Sequence, residues 1–402
     1  MSDGESYTRE KITKSKKYLF GILFLFGFSV MSWIPRFPEV KKNMGVPNGE
    51  FGTIISVGAL GGIFMLLIGG HIVHRFGTLI VLQISSIGFV LATAAIINVK
   101  SVPLFILCNL LNGASVSAFH IAANAQVLYE QETTGEILMP RTAGAWSTGA
   151  LATIVLSGIL TSHVSLTWHI VTLMFVSLAI MTILLRKIAP FALKGSDAPD
   201  EDFTLKNILR NFDINWPVSI GLLLGVQMEF TAGDWATIYA KENLSFSAGL
   251  ATLPYIIFIS AMISGRLTIH KIARRYPMEA LVKIAGLTGG SVFIIGITLS
   301  NLTKENSPHL AFTFACIGFL VGGFGSSFMG PLFMNTANRQ SDSPGGVVIG
   351  QLGVINNSLT FLVKGVIAWT AQWLSLPIAL IIPGLMLMGV AAFAKVSVAD
   401  QR

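Results

Sequence analysis

Two carboxylates lie close together in an otherwise apolar stretch near the middle of the chain, Glu229 and Asp234. A charged side chain inside an apolar helix costs about 2.5–3.5 kcal/mol on membrane-insertion scales, so it normally faces a partner or a water-filled cavity. A five-residue step also turns a helix by about 140°, so the two are not expected to share one narrow face. Burial favours the neutral form of a carboxyl group. Glu229 is therefore the first candidate for proton coupling, and Asp234, which we expect nearer the surface, is the second.

A third charge lies inside an apolar run. The neighbours of Lys364 at positions 361–363 and 366–367 are all apolar. Asn357 precedes it by seven residues, which places the two on nearly the same face of a helix. Such a pair can bind a carboxylate or a hydroxyl-rich solute, or the lysine can pair with Glu229. A lysine can also extend to the membrane interface, which would give it no role in a site.

Polar residues recur along one predicted helix of the first half at steps of 4, 7 and 4: Asn109, Gly113, His120 and Asn124. These steps place them in one stripe, opposite an apolar face. The two asparagines and the histidine are candidates for solute contacts, and His120 could titrate near neutral pH. A lone histidine is as often a packing residue, so both interpretations stay open.

Large residues at the ends of apolar runs form a further group of candidates. Arg36 and Trp33 end the first run, and Trp146 and Trp235 lie in later ones. These four side chains could frame the mouth of a cavity. Tryptophans also concentrate at the headgroup level of membrane proteins, which explains them equally well.

No motif for catalysis accompanies these residues. The sequence has no GxxxxGK[ST] loop, no HExxH, no GxSxG and no Cys/His cluster with metal-ligand spacing. We therefore expect neither an ATP-driven protein nor an enzyme, and no cofactor or metal. The net charge of +7 is spread over the ends of apolar runs, without a basic face, so a nucleic-acid partner is not expected.

The elements that carry the candidate residues are predicted to be membrane-spanning helices. Hydrophobic residues make up 52% of the 402 residues and charged residues only 12%, about half the charged share of a soluble domain. Runs of about 20 apolar residues are long enough to cross a bilayer as helices. Twelve such runs predict an all-α polytopic membrane protein: 18–36, 50–70, 78–98, 103–127, 142–162, 165–186, 214–240, 248–269, 279–300, 309–333, 346–370 and 374–395.

A polar insert near the midpoint divides these runs into two sets of six. We predict an N-terminal six-helix bundle over 1–187, a cytoplasmic linker over 188–212 and a pseudo-symmetric C-terminal bundle over 213–402. His74-Arg75-Phe76 recurs as Arg274-Arg275-Tyr276, and 31–33 recurs as 233–235, which indicates a duplication. Parallel six-span repeats are the plan of one large transporter class. Lys and Arg, with Arg266 counted among the loop residues, concentrate on one side of the spans, which predicts that both termini are cytoplasmic.

The loop between the second and third spans, Gly70-His71-Ile72-Val73-His74-Arg75-Phe76-Gly77, resembles the signature of the major facilitator superfamily. His74 departs from it, because the family usually has Asp there. The segments 32–36 and 230–235 are similar to a bacterial branch related to fucose-type sugar permeases. The resemblance implies a cytoplasmic gate: Gly70, His74, Arg75 and Gly77, with Arg274 and Arg275 in the second half. The glycines would let helix ends approach closely. Arg75 would hold acceptors on neighbouring helix ends, unless it only obeys the positive-inside rule.

These patterns and the resemblance together lead us to expect a secondary active transporter. It would move a small polar solute, such as a sugar or an organic acid, by alternating access and with protons as the coupling ion. Its partners would be the solute, protons and lipid, and we expect a monomer in a bacterial inner membrane. A proton-driven exporter of amphipathic compounds is an alternative that would favour a more apolar cavity. A membrane sensor that binds a ligand without moving it is disfavoured by the short linker and tails.

Overall fold

The computed structural model describes residues 3–136, 138–196, 214–341 and 345–398, so positions 197–212 of the predicted linker lie outside the described residues. Within those ranges the chain is helical nearly throughout and contains no strand. The helices, in chain order, are α1 (Asp3–Val30), α2 (Phe37–Met44), α3 (Asn48–Ser56), α4 (Gly58–Ile96), α5 (Val102–Thr134), α6 (Met139–Leu160), α7 (Leu166–Ile188), α8 (Trp216–Ile238), α9 (Ala248–Ala251), α10 (Leu253–Ile272), α11 (Met278–Thr303), α12 (Pro308–Ser326), α13 (Met329–Arg339), α14 (Gly345–Trp373), α15 (Leu376–Ala379) and α16 (Ile381–Gly389).

The described helices have the lengths and composition of membrane spans. Ten segments are long and apolar enough to cross a bilayer. One of them, Asn48–Ile96, holds 49 residues and covers two predicted spans, which meet where α4 bends at Gly77. α8 has 23 residues but is not among the ten, because Glu229, Asp234 and a glutamine lower its mean hydropathy. With that division and α8 included, the described part of the chain has twelve transmembrane helices. The predicted fold class, an all-α polytopic membrane protein, is confirmed.

The chain forms two compact units. The first consists of Met1–Trp33, Val57–Leu156 and Ser165–Asn211, and the second consists of Ile34–Ser56, Ser157–Val164 and Phe212–Arg402. The second unit therefore takes in α2, α3 and the end of α6, which come from the first half of the sequence. These units are spatial groupings, so the boundaries at 187 and 213 remain predictions about the sequence halves.

In the first unit, α4 and α5 pack with their backbones in direct contact. A Cβ at Gly113 would lie 1.8 Å from the carbonyl oxygen of Gly58, and one at Gly61 would lie 2.1 Å from that of Leu110. Glycine at a helix interface permits this close approach in membranes, where van der Waals packing is a main source of helix association. Gly113, part of the predicted polar stripe, therefore serves helix packing.

Candidate functional site

α8 carries the two carboxylates that the sequence singles out. The side chain of Asn215 caps this helix by accepting a hydrogen bond from the backbone N–H of Val218, and Pro217 lies in its first turn, where a missing N–H costs nothing. Within the helix, Glu229 and Asp234 bond to basic residues of two different helices. This divergence agrees with the rotation of about 140° expected between them.

Asp234 forms an ion pair with Lys364 of α14. The Nζ–Oδ2 distance is 2.8 Å, and the side chains of Lys364 and Asp234 are only 17% and 13% exposed. The ammonium group also lies 5.3 Å from the centre of the Phe230 ring, within the range of cation–π attraction. Lys364 therefore does not extend to an interface, and its partner is Asp234 rather than Glu229. Asp234, which was expected near the surface, is a largely buried carboxylate with a compensating cation.

Glu229 pairs instead with Arg266. Arg266 lies inside α10 rather than in a loop, which corrects its assignment to the cytoplasmic loops. Its Nη2 donates to Glu229 Oε2 at 3.0 Å, and its Nε donates to the carbonyl oxygen of Ser327 at 2.9 Å. The side chains of Arg266 and Glu229 are 33% and 30% exposed. Residues 253–265 carry no charge, so the sequence did contain a signal that Arg266 lies inside an apolar run.

Tyr255 of α10 lies beside the stretch of α8 between the two carboxylates. A Cβ at Gly233 would lie 3.5 Å from the phenolic oxygen, an ordinary van der Waals distance, so the ring packs directly beside this position. The phenol is close enough to Glu229 and Asp234 to interact with both charges, and its side chain is buried. Tyr255 is thus a polar neighbour of both ion pairs that the sequence pattern does not reveal.

A buried polar face of α14 leads to Lys364. Asn356 and Thr360 precede the lysine at steps of four residues, so the three side chains lie on one side of the helix. Within the described ranges, Asn356 Oδ1, Thr360 Oγ1 and Gln227 Oε1 of α8 are buried without a hydrogen-bond partner. Buried polar atoms are nearly always bonded, so unpartnered ones point to a ligand or to solvent. Asn357, the predicted solute contact, is half-buried and lies about 100° around the helix from Asn356.

In the first unit, the predicted stripe on α5 divides into two parts. Asn109 is buried, and a Cβ at Gly58 would lie 2.8 Å from its Oδ1, so Asn109 belongs to the packing of α4 against α5. Further along α5, Asn124 is half-buried and His120 is exposed, with its ring 6.2 Å from that of Phe26. Only His120 and Asn124 therefore remain accessible enough to contact a solute.

Arg36 is buried by bonds that hold the second unit together. It lies in the 3-10 turn Ile34–Arg36 and is 1% exposed. Its Nη2 donates to Glu39 Oε2 at 2.6 Å and to the carbonyl oxygen of Val164 at 2.9 Å. The guanidinium thus joins α2 to the residues after α6 and does not frame an open cavity mouth, as the sequence had suggested.

The tryptophan candidates differ in exposure. Trp33 and Trp235 are buried, and the Trp235 ring lies against α3, where a Cβ at Gly52 would come within 2.8 Å of it. Trp146 of α6 is half-buried. Of the three, only Trp146 keeps the accessibility that a cavity mouth or a headgroup belt requires.

The segment 34–56 also forms an ion pair and a hydrogen bond with residues from the second half of the sequence. Lys41 forms an ion pair with Glu242, and its ammonium group also donates to Asn48. The N–H of Gly49 donates to Gln372 Oε1 at 2.8 Å. These contacts lie within the second unit, and no pattern in the sequence predicted them.

The predicted gate loop holds the start of the linker. Gly77 has φ 77° and ψ 165°, and a Cβ there would lie 2.7 Å from the carbonyl oxygen of Leu193. The N–H of Thr78 donates to that oxygen at 3.0 Å, and the N–H of Ser196 donates to the carbonyl oxygen of His74 at 2.9 Å. The glycine was expected to let helix ends approach each other closely, and in the structure it brings the loop backbone against the linker.

Gln126 of α5 completes this contact. Its Oε1 accepts hydrogen bonds from Thr78 Oγ1 at 2.6 Å and from the N–H of Leu193 at 2.9 Å, and its Nε2 donates to the carbonyl oxygen of Phe191 at 3.0 Å. The side chain is 1% exposed.

Beyond the same end of α5, the hydrogen bond from Lys16 lowers the pKa of the exposed Glu136 carboxyl group.

The remaining gate candidates make fewer contacts than expected. Among the described residues, a Cβ at Gly70 would meet nothing within 4 Å, so close approach does not require that glycine. Arg75 is exposed, its guanidinium lies 5.9 Å from the Phe76 ring, and no acceptor on a neighbouring helix end lies within hydrogen-bond distance among the described residues. Arg274 and Arg275 are exposed in the turn after α10. In this structure the described start of the linker is contacted by the backbone of this loop, at His74 and Thr78, and not by the Arg75 side chain.

Gly77→Ala is expected to release the linker. A side chain at this φ and ψ costs about 1–3 kcal/mol, and its Cβ would collide with the linker backbone. We expect trypsin to cleave at the exposed Lys194 about tenfold faster, since 1.4 kcal/mol of local opening corresponds to a factor of ten. Gly135→Ala is the matched control, because Gly135 also has a positive φ (67°) but no described atom within 4 Å of its Cβ position. Equal cleavage rates in the two variants would show that Gly77 does not hold the linker.

Comparison with known proteins places this architecture among membrane transporters. The sequence matches the Major Facilitator Superfamily over residues 19–363. An uncharacterised MFS-type transporter of Yersinia pestis is 24% identical over 375 residues, which cover 92% of this chain and 93% of the relative.

Solved structures share the fold at low sequence identity. A crystal structure of the nucleoside transporter NupG superimposes with a TM-score of 0.74 at 13% identity, covering 96% of this chain and 100% of NupG. A D-xylose-proton symporter gives a TM-score of 0.67 at 16% identity, covering 97% of this chain and 98% of the symporter. At these identities the similarity concerns the fold alone.

Proposed function

The chain belongs to the major facilitator superfamily, and we propose that it is a proton-coupled symporter that moves a small polar solute by alternating access. As a member of this family it is a secondary transporter of small solutes and not an enzyme. The proposal concerns the coupling ion, the class of solute and the residues that serve them.

The observation that carries the proposal is the pair of acid–base contacts on α8, Glu229–Arg266 and Asp234–Lys364. A proton that binds to either carboxylate removes one charge of its pair and leaves the basic partner uncompensated. An uncompensated charge at membrane depth costs several kcal/mol, so protonation changes which arrangement of the helices is most stable. We propose that Glu229 and Asp234 couple proton binding to the change in access in this way.

The polar atoms near these pairs support a hydrophilic solute. Asn356, Thr360 and Lys364 line one face of α14, and two of them hold polar atoms without a partner in the described chain. We propose that this face binds the solute. In the first unit, His120 and Asn124 stay candidates for solute contact. An exporter of amphipathic compounds would favour an apolar, aromatic cavity instead.

The kind of solute is proposed from chemistry and from the relatives. NupG is a nucleoside transporter and the second structural neighbour is a D-xylose-proton symporter, and both solutes are small and rich in hydroxyl groups. Their example and the resemblance of 32–36 and 230–235 to fucose-type sugar permeases favour a sugar or a sugar acid.

The test uses purified protein in vesicles loaded with a pH-sensitive dye. A panel of sugars, nucleosides and organic acids is added outside, and we expect one class to drive proton entry. Glu229→Gln is expected to reduce this entry to the level of protein-free vesicles, because glutamine cannot carry the proton. Solute uptake down its own gradient serves as the second readout.

The matched control is Glu279→Gln. Glu279 also pairs with a basic residue, Lys283 at 2.6 Å, but at the start of α11 and away from α8. This variant is expected to keep the proton entry of the unmodified protein. Full proton-driven uptake by Glu229→Gln would refute the role of Glu229, and solute uptake without any proton movement would refute proton coupling.

We also propose a bacterial inner-membrane location, a monomer and cytoplasmic termini and linker. The concentration of Lys and Arg on one side of the spans supports this orientation. In a Lys194→Cys variant, a membrane-impermeant thiol reagent should label position 194 in intact cells only after the membrane is made permeable. Labelling from outside would overturn the orientation.

A further inference from the structure

Arg266 is fixed in place, but only part of its hydrogen-bonding capacity is used. Its Nε donates to the Ser327 carbonyl oxygen, and its Nη2 donates to one oxygen of Glu229. Within the described part of the chain, Nη1 of Arg266 and Oε1 of Glu229 make no hydrogen bond. A guanidinium binds a carboxylate best through two parallel N–H···O bonds. The Glu229–Arg266 contact therefore falls short of the arrangement that the arginine can make.

A break between two helices supplies the carbonyl that anchors the arginine. α12 ends at Ser326 and α13 begins at Met329, so Ser327 lies between them. The Ser327 side chain packs against α10 where a glycine precedes the arginine: a Cβ at Gly265 would lie 2.3 Å from Ser327 Oγ. Interrupted helices are where membrane transporters commonly build binding sites, because the freed backbone groups line a cavity.

The Glu229–Arg266 pair is also the more accessible of the two acid–base contacts. Both of its side chains are about one third exposed, whereas those of Asp234 and Lys364 are 13% and 17% exposed. Exposed charge at membrane depth faces water rather than lipid, because lipid cannot solvate it. A solute in that water can reach Arg266 directly.

From these contacts we propose that Arg266 binds the carboxylate of an anionic solute in exchange for Glu229, which takes up the proton. The inference rests on the proposed function and narrows its solute to a carboxylate anion. The charges balance in both states: carboxylate and guanidinium before the exchange, and neutral Glu229, guanidinium and solute anion after it. One proton therefore enters with one anion, and neither binds well alone because each would leave an uncompensated charge.

The other ionisable groups around Glu229 are consistent with this exchange. On α10, Tyr255 lies near both carboxylates of α8 and carries no basic group. On α14, Lys364 is already paired with Asp234. The charged residues Arg36, Glu39 and Lys41 bond among themselves, to Val164 or to Glu242 beyond the other end of α8. Arg339 lies at the far end of α13 and His309 at the start of α12. Arg266 is the cation that an exchange at Glu229 would expose.

The test empties the Glu229 position and offers a small carboxylate. Glu229→Ala leaves the guanidinium without its anion, and acetate is small enough to replace the lost carboxylate. We expect saturating acetate to raise the melting temperature of purified Glu229→Ala in detergent by about 2–4 °C, because a ligand that binds only the folded protein stabilises it. Acetamide, which has nearly the same shape without the charge, is expected to give no rise, and neither is chloride at equal ionic strength.

Two further variants keep the test decisive. The double variant Glu229→Ala/Arg266→Gln should lose the acetate response, because the cation is gone. Should Glu229→Ala fail to fold, Glu229→Gln takes its place, since the neutral amide also leaves Arg266 uncompensated. Equal responses to acetate and acetamide, or an acetate response that persists without Arg266, would overturn the proposal.

The outcomes separate this inference from the proposed function. Proton entry driven by a neutral sugar and lost in Glu229→Gln would sustain proton coupling and refute the carboxylate exchange. An acetate response that requires Arg266, together with proton entry unaffected by Glu229→Gln, would support the carboxylate site while the coupling role of Glu229 failed.

Discussion

Lys364→Ala is expected to abolish transport and to destabilise the protein by about 3–5 kcal/mol, the cost of leaving one partner of a buried ion pair alone. Asp234 is 13% exposed, so water cannot replace the ammonium group at 2.8 Å. Protonation of the carboxylate would remove the buried charge. The loss of stability should therefore be largest at high pH and shrink as the pH falls.

Two measurements check this expectation. Titration of the purified protein with SDS in mixed micelles gives the free energy of unfolding, and the vesicle assay gives transport. The double variant Asp234→Asn/Lys364→Met removes both charges and is expected to regain most of the lost stability, because a neutral pair needs no compensation. It should remain inactive, since neither the proton acceptor nor the cation is left. That separation of stability from transport distinguishes a working pair from a merely structural one.

The control for charge removal is Lys283→Ala. This lysine pairs with Glu279 four residues earlier on α11, and such helix pairs contribute about 0.3–0.5 kcal/mol. Its loss should change neither the unfolding free energy measurably nor transport. If Lys364→Ala proved as mild as Lys283→Ala, the contact with Asp234 would not be the buried pair that the structure shows.

The sequence predicts the helices of this protein well, and for a clear physical reason. Crossing a bilayer requires about 20 apolar residues in a row, and little else in a protein produces such runs. The least apolar span, α8, was still recognised because its charges occur singly within the run. The breaks after α3 and α12, which fall inside the predicted spans 50–70 and 309–333, were not predicted, since local changes of backbone direction leave only a weak trace in composition.

The partners of the buried charges depend on helix rotation, which the sequence sets only loosely. The step from Glu229 to Asp234 predicts that they diverge, and they do. Which basic residue meets each one depends on how α10 and α14 turn about their axes. If the predicted rotation of α14 about its axis is wrong by one residue, the asparagine on its polar face changes from Asn357 to Asn356. Arg266 was missed because its apolar surroundings were outweighed by its nearness to a basic loop.

The gate loop shows the same limit at longer range. A glycine between two spans indicates an unusual backbone conformation, and Gly77 has one. What it contacts is the linker more than 110 residues later in the chain, and no local pattern encodes that meeting. Gly70 matches the family signature equally well, yet it faces open space. A motif thus locates a loop without saying which of its residues bear the contacts.

Among glycine-to-alanine substitutions in the first unit, Gly113→Ala is expected to lower the free energy of unfolding the most. The added Cβ would lie 1.8 Å from the carbonyl oxygen of Gly58, so α4 and α5 would have to separate by more than 1 Å. Overpacking a tight interface costs about 1–3 kcal/mol and sometimes more, and here the obstacle is backbone that cannot rotate away. We expect a loss near the upper end, about 3 kcal/mol, measured by SDS titration.

Gly70→Ala is the matched control, because it adds the same methyl group to α4 at a position with no described atom within 4 Å. Alanine favours a helix over glycine by about 0.5–1 kcal/mol, so this variant should be neutral or slightly stabilised. The comparison also decides between two meanings of the predicted stripe on α5. If Gly113→Ala kept full stability but lost transport, Gly113 and its neighbour Asn109 would line a solute path. A loss of stability with the transport of the remaining folded protein intact would leave His120 and Asn124 as the part of the stripe that faces a solute.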